Sequence, residues 1–123
     1  MNPNLVTYVM SYYLHLMNQC EKRAYQHLTG TLKSTMGRSD LAAQEEARND
    51  RQFSRWLTDD PAALHLASEG WPVFLERTAK RILAEQEKDI YLNLCPRCGE
   101  LTRTPTARQC RFCGNDWHQS SKA

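Results

Sequence analysis

Four cysteines near the end of the chain form two pairs with the spacing of a metal site. Cys95 and Cys98 make one C-x2-C pair, Cys110 and Cys113 make the other, and eleven residues separate the two pairs. Two thiolates spaced this way converge on one point, and two facing pairs supply the four soft ligands of a tetrahedral zinc ion. A centre with four cysteine ligands has no open coordination position, so the pattern predicts a structural ion and not a hydrolytic one.

A glycine follows each pair directly, at Gly99 and Gly114. The chain must curl back at these positions so that amides point at the sulfur atoms, and that turn requires a residue that tolerates positive φ. The pattern therefore predicts two copies of one metal-binding turn. Between them we expect a short hairpin with strands at residues 101–103 and 107–109. Apolar and polar side chains alternate over residues 90–94, which predicts a strand that leads into the site.

Residues 90–118, with the motifs CPRCG and CRFCG, resemble the zinc-ribbon family. The resemblance implies short strands clamped by one structural Zn2+, with the four paired cysteines as its ligands. The motif is specific for metal binding but not for function, because zinc ribbons occur in transcription, translation, modification enzymes and adaptors. The residues leave two alternatives to zinc open: an iron ion in the same four-thiolate geometry, and disulfides. His118 is a candidate substitute ligand, although the four cysteines already fill the site.

The remaining side chains predict no catalytic residue. The four histidines, at positions 15, 27, 65 and 118, do not have the spacing of a metalloprotease motif. Arg23 and His27 suggest a ribonuclease-like pair, but no matching acid or nucleophile accompanies them, and an exposed pair on a helix is the simpler interpretation. Cys20 is expected to be a small buried apolar side chain. The sequence thus predicts a non-enzymatic protein.

Several side chains around the cysteines are candidates for contact with a partner. They are four arginines and one tryptophan, namely Arg97, Arg103, Arg108, Arg111 and Trp117. Arginine on phosphates or base edges beside an aromatic platform is typical of nucleic-acid binding. The simpler interpretation is that the arginines screen the thiolates, while Trp117 and Phe112 cover a small core.

The distribution of charge argues against a strong basic footprint. Residues 1–94 carry 11 Lys+Arg and 12 Asp+Glu, whereas residues 95–123 carry 5 and 2, so the first segment has a net charge of −1 and the tail has a net charge of +3. Zinc binding to four thiolates changes the formal charge by about −2, because four protons leave and one dication arrives. The loaded tail is then close to neutral. Proteins that rely on phosphate contacts are usually far more basic.

The first ninety residues predict four helices. The first is expected over residues 3–29, apolar on most sides and ended by Gly30, as in a core helix or a subunit interface. The second is expected over residues 41–57, capped by Ser39 or Asp40 and touching the core mainly through its C-terminal end. The third follows Asp60 and Pro61 over residues 62–68, and the fourth spans residues 71–87.

These patterns together predict a mainly α protein: a four-helix domain at residues 1–89, then a small β zinc ribbon and short polar tail at residues 90–123. No segment is long and apolar enough to span a membrane or serve as a signal peptide, which predicts a cytoplasmic protein. The expected function is macromolecular recognition, with another protein as partner in an adaptor or inhibitor role. The alternatives are a nucleic-acid-binding regulator and an accessory subunit of an enzyme. A homodimer through the first helix is a further expectation.

Overall fold

A computed structural model describes residues 1–118, and the last part of the predicted polar tail lies outside the described residues. The fold is mainly α, as predicted. The described residues form five α-helices: α1 (Pro3–Tyr12), α2 (Gln19–Ser34), α3 (Leu41–Arg48), α4 (Pro61–Ala67) and α5 (Trp71–Glu85). Short 3-10 helices lie at Leu14–Leu16, Ser54–Trp56 and Glu87–Asp89.

The chain forms two compact units. One unit, Leu16–Thr78, contains α2, α3, α4 and the start of α5. The other combines Met1–His15 with the chain from Ala79 onward, so α1 belongs to the same unit as the four paired cysteines. Whether residues 1–89 and 90–123 fold as separate domains stays a prediction, but the unit with the cysteines includes α1 and the last part of α5.

The prediction of one helix over residues 3–29 is wrong, because the chain leaves the helix between Tyr12 and Gln19. Asn18 begins α2 with a capping box. Its side chain accepts a hydrogen bond from the Glu21 amide at 2.8 Å, and the Glu21 carboxylate accepts one from the Asn18 amide at 2.9 Å. This reciprocal pair satisfies two amides that an isolated helix start leaves without partners. The start of α2 is therefore encoded locally.

Gly30 does not end a helix, since α2 continues through it to Ser34. Its role is close packing. A Cβ at this position would lie 2.7 Å from Cβ of Trp56, in the 3-10 helix Ser54–Trp56. Only a hydrogen atom fits there, so Gly30 lets α2 and this 3-10 helix approach each other.

The predicted second helix is shorter than expected and contacts the core elsewhere. It ends at Arg48 and buries Ala43, Gln44 and Ala47, near its middle and end, while residues 49–53 turn away from it. The cap at Asp40 is as predicted, because its carboxylate accepts the Ala43 amide at 2.7 Å. Asp60 likewise begins α4 ahead of Pro61.

Helix α2 is central to the Leu16–Thr78 unit, where it packs against α3, α4 and the 3-10 helix Ser54–Trp56. A buried polar network lies among these elements. His27 Nε2 is 3.0 Å from Gln44 Oε1, and the Thr58 amide donates to His27 Nδ1 at 3.1 Å. Since Nδ1 accepts, the proton of a neutral ring lies on Nε2 and is donated to Gln44.

Within residues 1–118, none of the helices combines the length and the apolar character that a membrane crossing requires.

Candidate metal centre

The two C-x2-C-G motifs fold into two copies of the same turn. In the first cysteine turn (residues 95–99), the Cys95 amide donates to Glu100 O at 2.8 Å and the Gly99 amide to Cys95 O at 2.9 Å. In the second cysteine turn (residues 110–114), the equivalent bonds join Cys110 to Asn115 at 2.8 Å and Gly114 to Cys110 at 3.0 Å. The residues that make equivalent hydrogen bonds are fifteen positions apart in the sequence. The two copies of the motif therefore fold into the same turn.

Both glycines have the conformation predicted for them. Gly99 has φ +78° and Gly114 has φ +75°. A Cβ at either position would meet nothing within 4 Å. The requirement for glycine is therefore backbone conformation and not space, because a β-carbon is disfavoured at positive φ.

The pairing around the turns differs from the predicted hairpin. Residues 101–103 do not pair with residues 107–109, and residues 90–94 do not form a strand. Instead each turn is closed by its own antiparallel bridge, Leu94 with Leu101 and Gln109 with Asp116. Each bridge joins the residue just before a cysteine turn to a residue just after it. The two segments of the chain that flank a turn therefore pair with each other and not with the other turn.

The four sulfur atoms lie together in the cysteine module (residues 90–118), all within 4.8 Å of one another. Two close contacts cross between the turns: Sγ of Cys95 is 3.6 Å from Sγ of Cys113, and Sγ of Cys98 is 3.5 Å from Sγ of Cys110. A tetrahedral ion with Zn–S bonds of about 2.3 Å places its sulfurs about 3.8 Å apart. The site is suited to one structural zinc ion.

Each turn directs backbone amides at its first sulfur. The Arg97 and Cys98 amides lie 3.4 and 3.5 Å from Sγ of Cys95, and the Phe112 and Cys113 amides lie 3.3 and 3.5 Å from Sγ of Cys110. Donors aimed at sulfur favour the thiolate over the thiol. The turns therefore stabilise the charge that a metal ligand must carry.

The pKa values of the thiols reflect this arrangement. Burial acts to raise the pKa of Cys95, but the Cys98 and Arg97 amides and the neighbouring thiols outweigh it and lower the pKa to about 6. The pKa of Cys110 is also lowered, mainly by the Cys113 amide. The Glu100 amide acts to lower the pKa of Cys98, but burial and the three other thiols raise it to about 12. Four thiolates so close repel one another, and a dication removes that repulsion.

Cys95 and Cys110, the first ligands of the two turns, are buried, whereas Cys98 and Cys113 are exposed. One side of the cluster thus faces the protein and the other faces solvent. None of the four thiols is in a disulfide, and within residues 1–118 these four cysteines are the one group of side chains placed to hold a metal ion. His118 is not a ligand; its Nδ1 is 2.6 Å from the Asp116 carboxylate.

Asn93 holds the cysteine module together, and sequence reasoning missed it. Its buried side chain donates to Thr104 O at 3.0 Å and to Ala107 O at 2.8 Å, and its carbonyl accepts from the Thr102 amide at 2.9 Å. The chain between the two cysteine turns is therefore organised by hydrogen bonds to one asparagine. An asparagine two residues before a C-x2-C pair is the only signal that the sequence offered.

Helix α1 is tied to the same segment. The Tyr8 hydroxyl donates to Tyr91 O at 2.6 Å and accepts from the Asn93 amide at 3.3 Å. The Tyr13 hydroxyl accepts from the Tyr91 amide at 3.0 Å. Burial, which outweighs the Asn93 hydrogen bond, raises the pKa of Tyr8, so the phenol stays protonated and able to donate. These bonds fix the backbone that leads into Cys95.

The residues predicted to contact a partner differ in their exposure to solvent. Arg97, Arg103, Arg108 and Arg111 are all exposed, and Trp117 is half-buried. The guanidinium of Arg111 lies over the ring of Phe112, 5.1 Å from its centroid. Phe112 is itself exposed, so it does not cover a core, in contrast to the simpler interpretation of the sequence.

The helical candidates have structural roles. His27 is buried, not exposed beside Arg23, and Arg23 pairs with Asp60 at 3.1 Å. Cys20 is half-buried, and desolvation raises the pKa of its thiol.

Comparisons of the chain with protein-family models, curated proteins and solved structures returned no match. The interpretation of the site therefore depends on its own geometry.

Proposed function

We propose that this chain is a non-enzymatic zinc-binding protein whose cysteine module, of the zinc-ribbon type, contacts another protein. The metal would act by folding the module and not by catalysis, because four thiolates complete its coordination. The module then serves as a rigid support for side chains that face solvent. Cytoplasmic location and a homodimer through α1 stay predictions within this proposal.

The observation that carries the proposal is a group of exposed apolar side chains directly before the first ligand. Tyr91 is 61 % exposed, Leu92 39 % and Leu94 50 %. Large apolar side chains exposed in such a short segment favour a contact with another protein. The backbone beneath them is held by Tyr8 and Tyr13, so the segment is ordered before a partner arrives. A preordered surface loses little conformational entropy on binding.

The test uses the full zinc-loaded chain as bait in lysate with and without nuclease treatment, followed by titration of the purified candidate. The double variant Leu92→Thr/Leu94→Thr should weaken the affinity at least about tenfold, because interface leucines contribute on the order of 1–2 kcal/mol each when buried. Leu41→Thr is the matched control, since Leu41 is 64 % exposed on α3, outside this segment. It should leave the affinity unchanged.

Zinc content near one ion per chain must accompany each variant, so that lost binding is not lost folding. A candidate that binds wild type, the double variant and the control equally well would refute the proposal. So would a complex that disappears entirely on nuclease treatment.

A further inference from the structure

A groove on the cysteine module collects positive charge from three separate positions. The groove has a volume of about 590 Å³, and its lining includes Arg103, Arg108, Arg111 and His118 together with Cys110. None of the side chains that line it is acidic. The carboxylate of Asp116 is hydrogen-bonded to the lining residue His118, and its backbone is bridged to the lining residue Gln109. Three guanidinium groups around one concavity are suited to an anion, because each offers several donors in a planar fork.

The internal repeat shows that these arginines are not needed to build a cysteine turn. Fifteen positions before Arg108 the first copy has Asn93, and fifteen before Arg111 it has Pro96. Asn93 is buried and holds the chain between the turns, whereas Arg108 is exposed. The same turn therefore folds without arginine at either place. The second copy differs from the first in the charge that it presents.

Screening of the metal thiolates does not account for this arrangement. The buried sulfurs of Cys95 and Cys110 receive equivalent amide bonds in the two turns. Screening alone therefore calls for similar charge beside both, and one arginine in each turn, Arg97 in the first and Arg111 in the second, meets that need. Arg103 and Arg108 lie outside both turns, so screening does not require them, yet both line the groove.

An exposed aromatic ring adjoins the groove. Arg111 lines the groove and also lies over Phe112, whose side chain is 53 % exposed. A phosphate held by guanidinium groups beside an open aromatic face is the arrangement that single-stranded nucleic acids use, since the bases stack while the backbone is neutralised. A phosphopeptide would use the arginines but would not require the ring.

We infer that the groove of Arg103, Arg108 and Arg111 binds the phosphates of single-stranded nucleic acid, with a base stacked on Phe112. The inference goes beyond the proposed protein contact and depends on different side chains. The zinc-loaded module is close to electrically neutral overall, so we expect the groove to contact only one or two phosphates of the nucleic acid. Affinity is therefore expected to be modest and to depend on salt.

The experiment measures fluorescence anisotropy of labelled mixed-sequence RNA and DNA 10-mers with the full zinc-loaded chain. Arg108→Gln/Arg111→Gln should weaken binding about tenfold or more, because two charge-assisted contacts are lost. On single strands each phosphate contact contributes roughly 0.7 to the magnitude of the slope of log K against log salt. Loss of two contacts should therefore reduce the magnitude of this slope by about 1.4. Phe112→Leu should weaken binding while leaving the salt slope unchanged.

Arg97→Gln is the control for Arg111→Gln, since each removes one positive charge from a cysteine turn and Arg97 is not part of the groove lining. It should change affinity less than about threefold, as expected for a solvent-screened charge that does not contact the ligand. Zinc content is measured for every variant, and Arg111→Gln alone replaces the double variant if the latter loses metal.

Equal losses in Arg97→Gln and in the groove variants would overturn the inference, because they would show a general charge effect. Absence of binding to both 10-mers at 20 mM salt would also overturn it. So would binding to a phosphoserine peptide without binding to either 10-mer. None of these results touches the Leu92/Leu94 protein contact, which its own variants test.

Discussion

His27 is a fully buried titratable side chain whose two ring nitrogens both have partners. Desolvation is the main cause that lowers its pKa, and the Arg48 charge adds to this effect, while the Gln44 hydrogen bond and Asp59 act in the opposite direction. The Thr58 amide donates to Nδ1, so a proton added there would face a donor. The neutral ring is therefore the form that the folded protein prefers.

The unfolding free energy should fall as the pH decreases below about 6.5. The unfolded chain has a histidine pKa near 6.5 and the folded pKa is lower, so acid favours the unfolded state. The decrease in the unfolding free energy begins near pH 6.5 and ends below the pKa of His27 in the folded protein. It cannot exceed about 1.4 kcal/mol per pH unit, because one proton is bound. Urea unfolding of the Leu16–Thr78 helices, followed by circular dichroism at pH 7, 6 and 5, measures it.

His27→Gln retains a donor and an acceptor without the titration, so this variant should show a smaller decrease between pH 7 and 5. His65→Gln, at an exposed position on α4, is the control and should behave as wild type. The same pH dependence in all three proteins would show that His27 does not determine acid stability.

At the scale of elements, close approach at Gly30 decides how α2 packs. Glycine inside a helix ordinarily costs about 1 kcal/mol relative to alanine. Here the nearest atom to an added Cβ would be Cβ of Trp56 at 2.7 Å, with Phe53 O at 3.4 Å. Cβ of Trp56 is bonded directly to the backbone and Phe53 O is a backbone atom, so neither can move unless the backbone moves with it.

Gly30→Ala should destabilise the protein by about 1–3 kcal/mol despite its better helix propensity, because the contact is overpacked. Thermal unfolding measures the change. Gln26→Ala, at an exposed position on the same helix, is the control and should leave stability within about 0.5 kcal/mol of wild type. A melting temperature for Gly30→Ala equal to or above wild type would contradict the packing role.

Elements encoded by short-range chemistry were predictable, and those that depend on packing were not. The cysteine turns, the Asp40 and Asp60 caps and the positive φ of Gly99 and Gly114 all follow from residues within a few positions. The break before α2 has a local signal as well, the Asn18–Glu21 capping box, which the apolar run around it concealed. Gly30 packs against Trp56, and Asn93 donates to the backbone carbonyls of Thr104 and Ala107. These partners are more than ten residues away in sequence, and hydrophobic periodicity carries no information about them.

At the scale of the whole molecule, the metal centre and α1 belong to one compact unit. A continuous series of hydrogen bonds joins them: Tyr8 holds the backbone of residues 91 and 93, and Asn93 holds the chain between the two cysteine turns. Small metal modules depend on their ion for folding. Loss of the ion should therefore reach α1 through residue 93.

Chelation of the metal should raise hydrogen–deuterium exchange in residues 91–118 and also in Pro3–Tyr12, while α2 stays protected. The physical reason is that Tyr8 loses its acceptor and donor when the segment before Cys95 loosens. Cys95→Ser and Cys113→Ser should have the same effect as the chelator. Exchange measured by mass spectrometry with and without chelator tests this.

The hydroxyl of Tyr8 provides the control that identifies the route. Tyr8→Phe should raise exchange in α1 even when zinc is bound, because the two bonds to residues 91 and 93 are gone while the ring still packs. Tyr12→Phe, at an exposed position on the same helix, should not. If α1 stays protected after metal removal, residues 1–89 fold independently of the cysteine module. In that case the hydrogen bonds from Tyr8 position the module without sharing its stability.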